Sequence, residues 1–152
     1  MSQNTLSDEK YMSLALGEAK KAASLGEVPV GAVIVRNGEV IASSGNRREM
    51  SRDATAHAEV LCIRQACERL GGWHLDGCTL YVTMEPCPMC AGAIINSRVG
   101  RVVFGCRDFR AGSLGSVVDL SRYPYNHKPE ILGGVLAEQA LGLLREFFAE
   151  RR

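Results

Sequence analysis

Pro88 limits what this chain can build more than any other residue. Proline has no amide hydrogen and a fixed φ, so within a helix it fits best at the first position. The segment Glu85-Pro86-Cys87-Pro88-Met89-Cys90 therefore reads as a helix start, with Cys87 as N-cap and Cys90 one turn on along the same side. Two sulfurs so placed can grip one metal ion. The positive end of the helix favours the thiolate form that such binding needs. By itself a C-x-x-C is equally compatible with a redox or a structural pair.

A second segment, His57-Ala58-Glu59, narrows the choice. Residues i and i+2 of a continuous helix point about 200° apart, so His57 and Glu59 converge only if the pair straddles a helix start. Thr55 is the N-cap expected there. Two helix N-termini would then meet, one bringing His57 and the other Cys87 and Cys90. Three ligands of this kind suit tetrahedral zinc, one per chain, with the fourth position open as in catalytic sites. Glu59 becomes a non-ligand carboxylate able to take a proton from zinc-activated water and deliver it to a leaving group. If the metal were structural, a fourth protein ligand would be needed, and His74 and His127 are the candidates. Cys62, Cys67, Cys78 and Cys106 lack ligand spacing and read as core thiols.

The other elements follow from periodicity. A helix capped by Ser7 runs to about Ser24, with Asp8 and Glu9 at its positive end. Its stripe is Met12, Ala15 or Leu16, Ala19, Ala22 and Ala23, and Gly26 ends it. Val30–Val35 and Val40–Ala42 flank Asn37-Gly38, a strong hairpin signal. Helix over 58–70, strand over 79–83, helix over 87–96, strand over 101–104 and a last helix over 135–150 complete the order. The last helix carries Leu136, Ala140, Leu143, Leu144 and Phe147 on its stripe, and Phe148 falls off it. Segments 111–116 and 123–129 read as loops. The order predicts one domain over residues 1–152, an α/β/α three-layer sandwich around a mixed sheet. Apolar residues at 46% and charged residues at 23% exclude a disordered or coiled-coil chain. The net charge of +1 argues against sequence-blind nucleic-acid coating while allowing a local basic patch. Arg47, Arg48, Arg52, Arg107, Arg110, Arg122, Lys128 and Arg145 supply one. The first stretch has no apolar core of an export signal, so a cytoplasmic protein is expected.

Thr55-Ala56-His57-Ala58-Glu59 and Glu85–Ile94 resemble the cytidine/deoxycytidylate deaminase superfamily, whose signature has this form. Within it, the chain resembles the bacterial tRNA-specific adenosine deaminases from about residue 8 onward. The matches are Glu27–Ala32, Arg101–Gly105, Arg107-Asp108, Gly112, Gly115-Ser116, Asn126-His127 and Glu146–Phe148. The resemblance implies a homodimer of three-layer subunits that converts adenosine to inosine at the first anticodon position of tRNA by hydrolysis. It assigns Asn46 to the target nucleoside, Asp108 to the same ribose or its neighbour, and Phe147 or Phe148 to the anticodon-loop path. Phe148, exposed, would be free to stack on a base, and the Ala58 backbone would orient the base. The chain departs from the family pattern at Ala54, where proline is common. The alternative is a small-molecule deaminase of the guanine or cytosine type, which would share every zinc residue.

Overall fold

A computed structural model describes residues 3–151. Five strands form a sheet ordered β2-β1-β3-β4-β5: β1 (Gly31–Arg36), β2 (Glu39–Gly45), β3 (Cys78–Met84), β4 (Arg101–Cys106) and β5 (Glu130–Leu132). β1 is antiparallel to β2 and β3, whereas β3, β4 and β5 run parallel. The mixed sheet follows from the chain order. Asn37 and Gly38, at φ 52° and 76°, make the tight β1–β2 turn that only left-handed residues allow. Helical crossovers then force parallel pairing.

Helices α3 (Ala58–Leu70) and α4 (Pro88–Asn96) cover one face, and α1 (Gln3–Ser24) and α5 (Ala137–Ala149) the other. The strands alternate accordingly. Ala32, Ile34, Leu80, Val82, Val102 and Phe104 join the core beneath α3 and α4. Val33, Val35, Tyr81 and Val103 pack against Met12 and Ala15 of α1. With both faces covered, the central strands need apolar residues at consecutive positions, which is how their sequences read. Gly31 permits the close approach of α1, because a Cβ there would fall 2.1 Å from the Ala15 carbonyl oxygen.

Three features depart from the expectations or add to them. Helix α1 begins before Ser7, so Ser7 caps nothing and Asp8 turns inward. Its carboxylate accepts two bonds from Arg101, both 2.8 Å, and one from the Tyr81 hydroxyl at 2.8 Å. Asp8 thus clamps α1 to β3 and β4, which outweighs any use at a helix end. Second, the stretch before α3 holds a four-residue helix, α2 (Arg48–Ser51). Third, the expected 123–129 loop leads into β5, too short for periodicity to reveal. Of the presumed core thiols, Cys62, Cys78 and Cys106 are buried and Cys67 is half-buried; all are free. No helix among the described residues is long and apolar enough to cross a membrane.

Candidate active site

The parallel strand β3 delivers the chain through Glu85-Pro86 to Cys87, the N-cap of α4, with Pro88 beginning the helix. His57 occupies the same position on α3. It displaces Thr55 from the expected cap, because Asp53 captures Thr55 through the Thr55 amide (2.8 Å) and hydroxyl (2.7 Å). Neither His57 nor Cys87 spends its side chain on capping. Both are left to face one another.

His57 Nδ1 lies 3.6 Å from Cys87 Sγ and 3.5 Å from Cys90 Sγ. Zinc bonds of about 2.3 Å to sulfur and about 2.0–2.1 Å to nitrogen, set at the tetrahedral angle, require N···S separations of about 3.5–3.6 Å. The donor set therefore fits zinc in both chemistry and size. His74 is paired with Asp76 at 2.9 Å and His127 with the Val99 carbonyl at 2.7 Å. Among the described residues neither joins the group, nor does another Asp, Glu or Cys. A structural site closed by four protein ligands is not what these residues build.

Electrostatics prepare the same atoms. The Cys87 thiol, hydrogen-bonded by Cys90 and then by His57, is held at about 4. Cys90 is pushed upward by its partner thiolate and by burial. His57 is raised, chiefly by its bond to Cys87. A metal bound by both sulfurs would displace any thiol proton left there. Glu59, in the first turn of α3, is 4% exposed. Burial pushes its carboxyl up to about 6, against the opposing pull of its own backbone amide and His57. A carboxyl near neutrality can both take and give a proton.

His57, Glu59 and Cys87 line a cavity of about 120 Å³, close to the ~150 Å³ that holds one benzene ring. Val28, Val30 and Met84 form its apolar wall, which sequence reasoning did not single out as a site. Asn46, Ala58 and Asp108 line it too, together with Arg48 and Glu85. Asn46 Oδ1 accepts the Arg48 amide at 3.3 Å. Asp108 Oδ1 accepts the amides of Arg110 and Ala111 at 3.0 and 3.2 Å, closing its own turn. Phe148 does not line the cavity. It is 49% exposed and meets Phe147 edge-on at 5.3 Å.

Comparison with known proteins places this arrangement. The family model described as MafB19-like deaminase matches residues 6–140. The tRNA-specific adenosine deaminase of Bacillus subtilis (strain 168) is 53% identical over 146 residues, 95% of this chain and 91% of that protein. The chain belongs to the tRNA-specific adenosine deaminase family. A solved structure from studies of A-to-I editing by tRNA:A34 deaminases superposes on this deaminase with a TM-score of 0.87. It is 45% identical and covers 89% of this chain and 99% of its own. The guanine deaminase of Nitrosomonas europaea has the same fold at a TM-score of 0.76 and 28% identity, covering 93% of this chain and 84% of its own. The α/β/α sandwich expected from the sequence is the fold of this family.

Proposed function

We infer that the protein hydrolytically deaminates adenosine to inosine at the wobble position of tRNA. The observation that carries this reading is the buried Glu59 carboxyl beside a zinc-sized His57/Cys87/Cys90 group, with Glu59, His57 and Cys87 lining a ring-sized cavity. The B. subtilis relative and the tRNA:A34 deaminase structure supply the substrate.

His57, Cys87 and Cys90 would hold zinc, which when bound lowers the pKa of water toward neutrality. Glu59 accepts a proton from the attacking water and delivers it to the exocyclic nitrogen at C6. The C6–N bond breaks, ammonia leaves, and inosine remains. Ala58 presents backbone to the base, while Asn46 and Asp108 hold the nucleoside and its ribose at the mouth. Val28, Val30 and Met84 exclude water around the ring.

Reaching the cavity requires the base to leave its stack, which costs least in a loop already single-stranded. The exposed Arg47, Arg48, Arg52, Arg107 and Arg110 flank the mouth in sequence and suit the phosphates of such a loop. Phe148 would stack on a neighbouring base. Val117, Val118, Tyr123 and Tyr125 leave an exposed apolar surface, which supports a homodimer. We place the enzyme in the cytoplasm with its tRNA.

The test sets an anticodon stem-loop with a wobble adenosine against free adenosine, guanine and cytidine. The stem-loop should turn over far faster than any of them, releasing ammonia. Equal turnover of a free base or nucleoside would replace the tRNA reading by that of a small-molecule deaminase.

A further inference from the structure

Two glutamates that the reaction does not use are buried at the cavity: Glu85 is among its lining residues, and Glu27 binds α2, which begins at the lining residue Arg48. Glu27 is fully buried. Its two oxygens accept the amides of Glu49 (3.0 Å) and Met50 (2.7 Å), in the first turn of α2. Glu85 is 2% exposed. Its Oε1 accepts the Asp108 amide at 3.2 Å and the Ser116 hydroxyl, and its Oε2 accepts the amides of Leu114 (3.1 Å) and Ser116 (3.0 Å). The loop lies directly on this carboxylate, since a Cβ on Gly112 would fall 2.5 Å from Glu85 Cδ.

Burying a carboxylate is unfavourable unless its hydrogen bonds are made, so an apolar residue would serve mere packing better. Here each carboxylate grips the backbone of one segment. The segment under Glu27 carries Asn46 and Arg48, and the one under Glu85 carries Asp108. These are the polar groups of the cavity mouth.

We propose that Glu27 and Glu85 are positioning residues that set two walls of the substrate cavity independently. Glu27 places Asn46 and Arg48, Glu85 places Asp108, and both govern substrate affinity rather than proton transfer. The kinetic part of this proposal rests on the stem-loop reading above.

Glu27→Gln and Glu85→Gln keep the side-chain volume but turn an N–H toward an amide that needs an acceptor. Each should raise KM for the stem-loop about tenfold, the equivalent of roughly one lost hydrogen bond. Turnover at saturation and zinc content should hold. Double variants separate positioning from general weakening. Glu85→Gln with Asp108→Ala, and Glu27→Gln with Asn46→Ala, should raise KM by less than the product of the single effects. The crossed pairs should multiply.

Amide hydrogen exchange gives a readout free of activity. Glu27→Gln should unprotect Glu49 and Met50 alone, and Glu85→Gln should unprotect only amides of its own loop, Asp108, Leu114 and Ser116. If Glu85→Gln does not fold, Ser116→Ala removes one of its donors. That variant should raise KM about threefold, again less than multiplicatively with Asp108→Ala. Lowered melting temperature with unchanged KM, or matched pairs that multiply, would overturn the proposal. A wild-type enzyme inactive on the stem-loop would instead defeat the substrate reading, leaving the exchange pattern to decide the placement of the walls.

Discussion

The metal end of the cavity and its mouth are built in different ways. At the metal end, side chains do the work and local rules aim them. Pro88 starts α4 beneath Cys87, and the extended backbone of His57 turns its ring out of the start of α3. At the mouth, backbone does the work, and it is aimed by carboxylates 22 to 31 residues away. The contrast teaches that this chain encodes its chemistry in spacing and its selectivity in tertiary contact. The two should then fail separately.

The largest separation comes from Cys87→Ala. With one of three ligands gone, zinc should be lost, and activity with it. Wild-type protein should carry one zinc per chain by metal analysis; full activity without zinc would end the metal reading. Glu59→Ala is next. It should retain zinc and fold, and turnover should fall by about 10²–10⁴-fold, the usual reach of a general acid–base group. Ammonia release near the wild-type rate would remove Glu59 from the proton path.

Asp8→Ala tests the frame that carries both regions. It strips the closer of two carboxylates from Arg101 and an acceptor from Tyr81, and should lower stability by about 3 kcal/mol, the low end for breaking a buried ion pair, because Arg101 remains partly exposed and keeps Glu130 at 3.9 Å. Urea melts would show it, with turnover of the folded fraction unchanged. Arg101 also holds the Asp8 carboxyl below its ordinary value of 3.8. Its contribution is therefore fully present above that pH and drains as pH falls through the lowered folded value. Melting temperatures of wild type and Asp8→Ala should converge under acid.

At the mouth, Asp108→Ala or Asn46→Ala should raise KM for the stem-loop about tenfold, consistent with one or two lost hydrogen bonds, and leave zinc content alone. A collapse of zinc binding in either would show that mouth and metal end are one unit. The smallest effect is expected of Phe148→Ala, about fivefold on stem-loop binding at the low end of base stacking and none on free adenosine.

What could be read beforehand divides along the same line. Asn37-Gly38, Pro88 and the His57–Glu59 spacing each carry a conformational rule within a few residues, and the hairpin, the start of α4 and the start of α3 stand where those rules put them. Thr55 obeyed a different local rule, the turn formed by Asp53, and so lost the cap. Asp8 looked like a helix-end acid because nothing within its own segment announces Arg101, 93 residues on. Glu27 and Glu85 stood inside recognisable segments, yet their partners are backbone amides, which every segment offers alike. Helix α2 and strand β5 are too short for periodicity. Phe148 could be read as exposed but not as absent from the cavity lining.

A carboxylate that grips main-chain amides is blind to the side chains it supports. Every residue except proline carries such an amide, so the exposed positions 49 and 50 can exchange their side chains while the scaffold stays fixed. The mouth can thus drift through sequence space, trialling new rims for new nucleic-acid shapes, without disturbing the hydrolytic centre. Proline is the one substitution this freedom forbids.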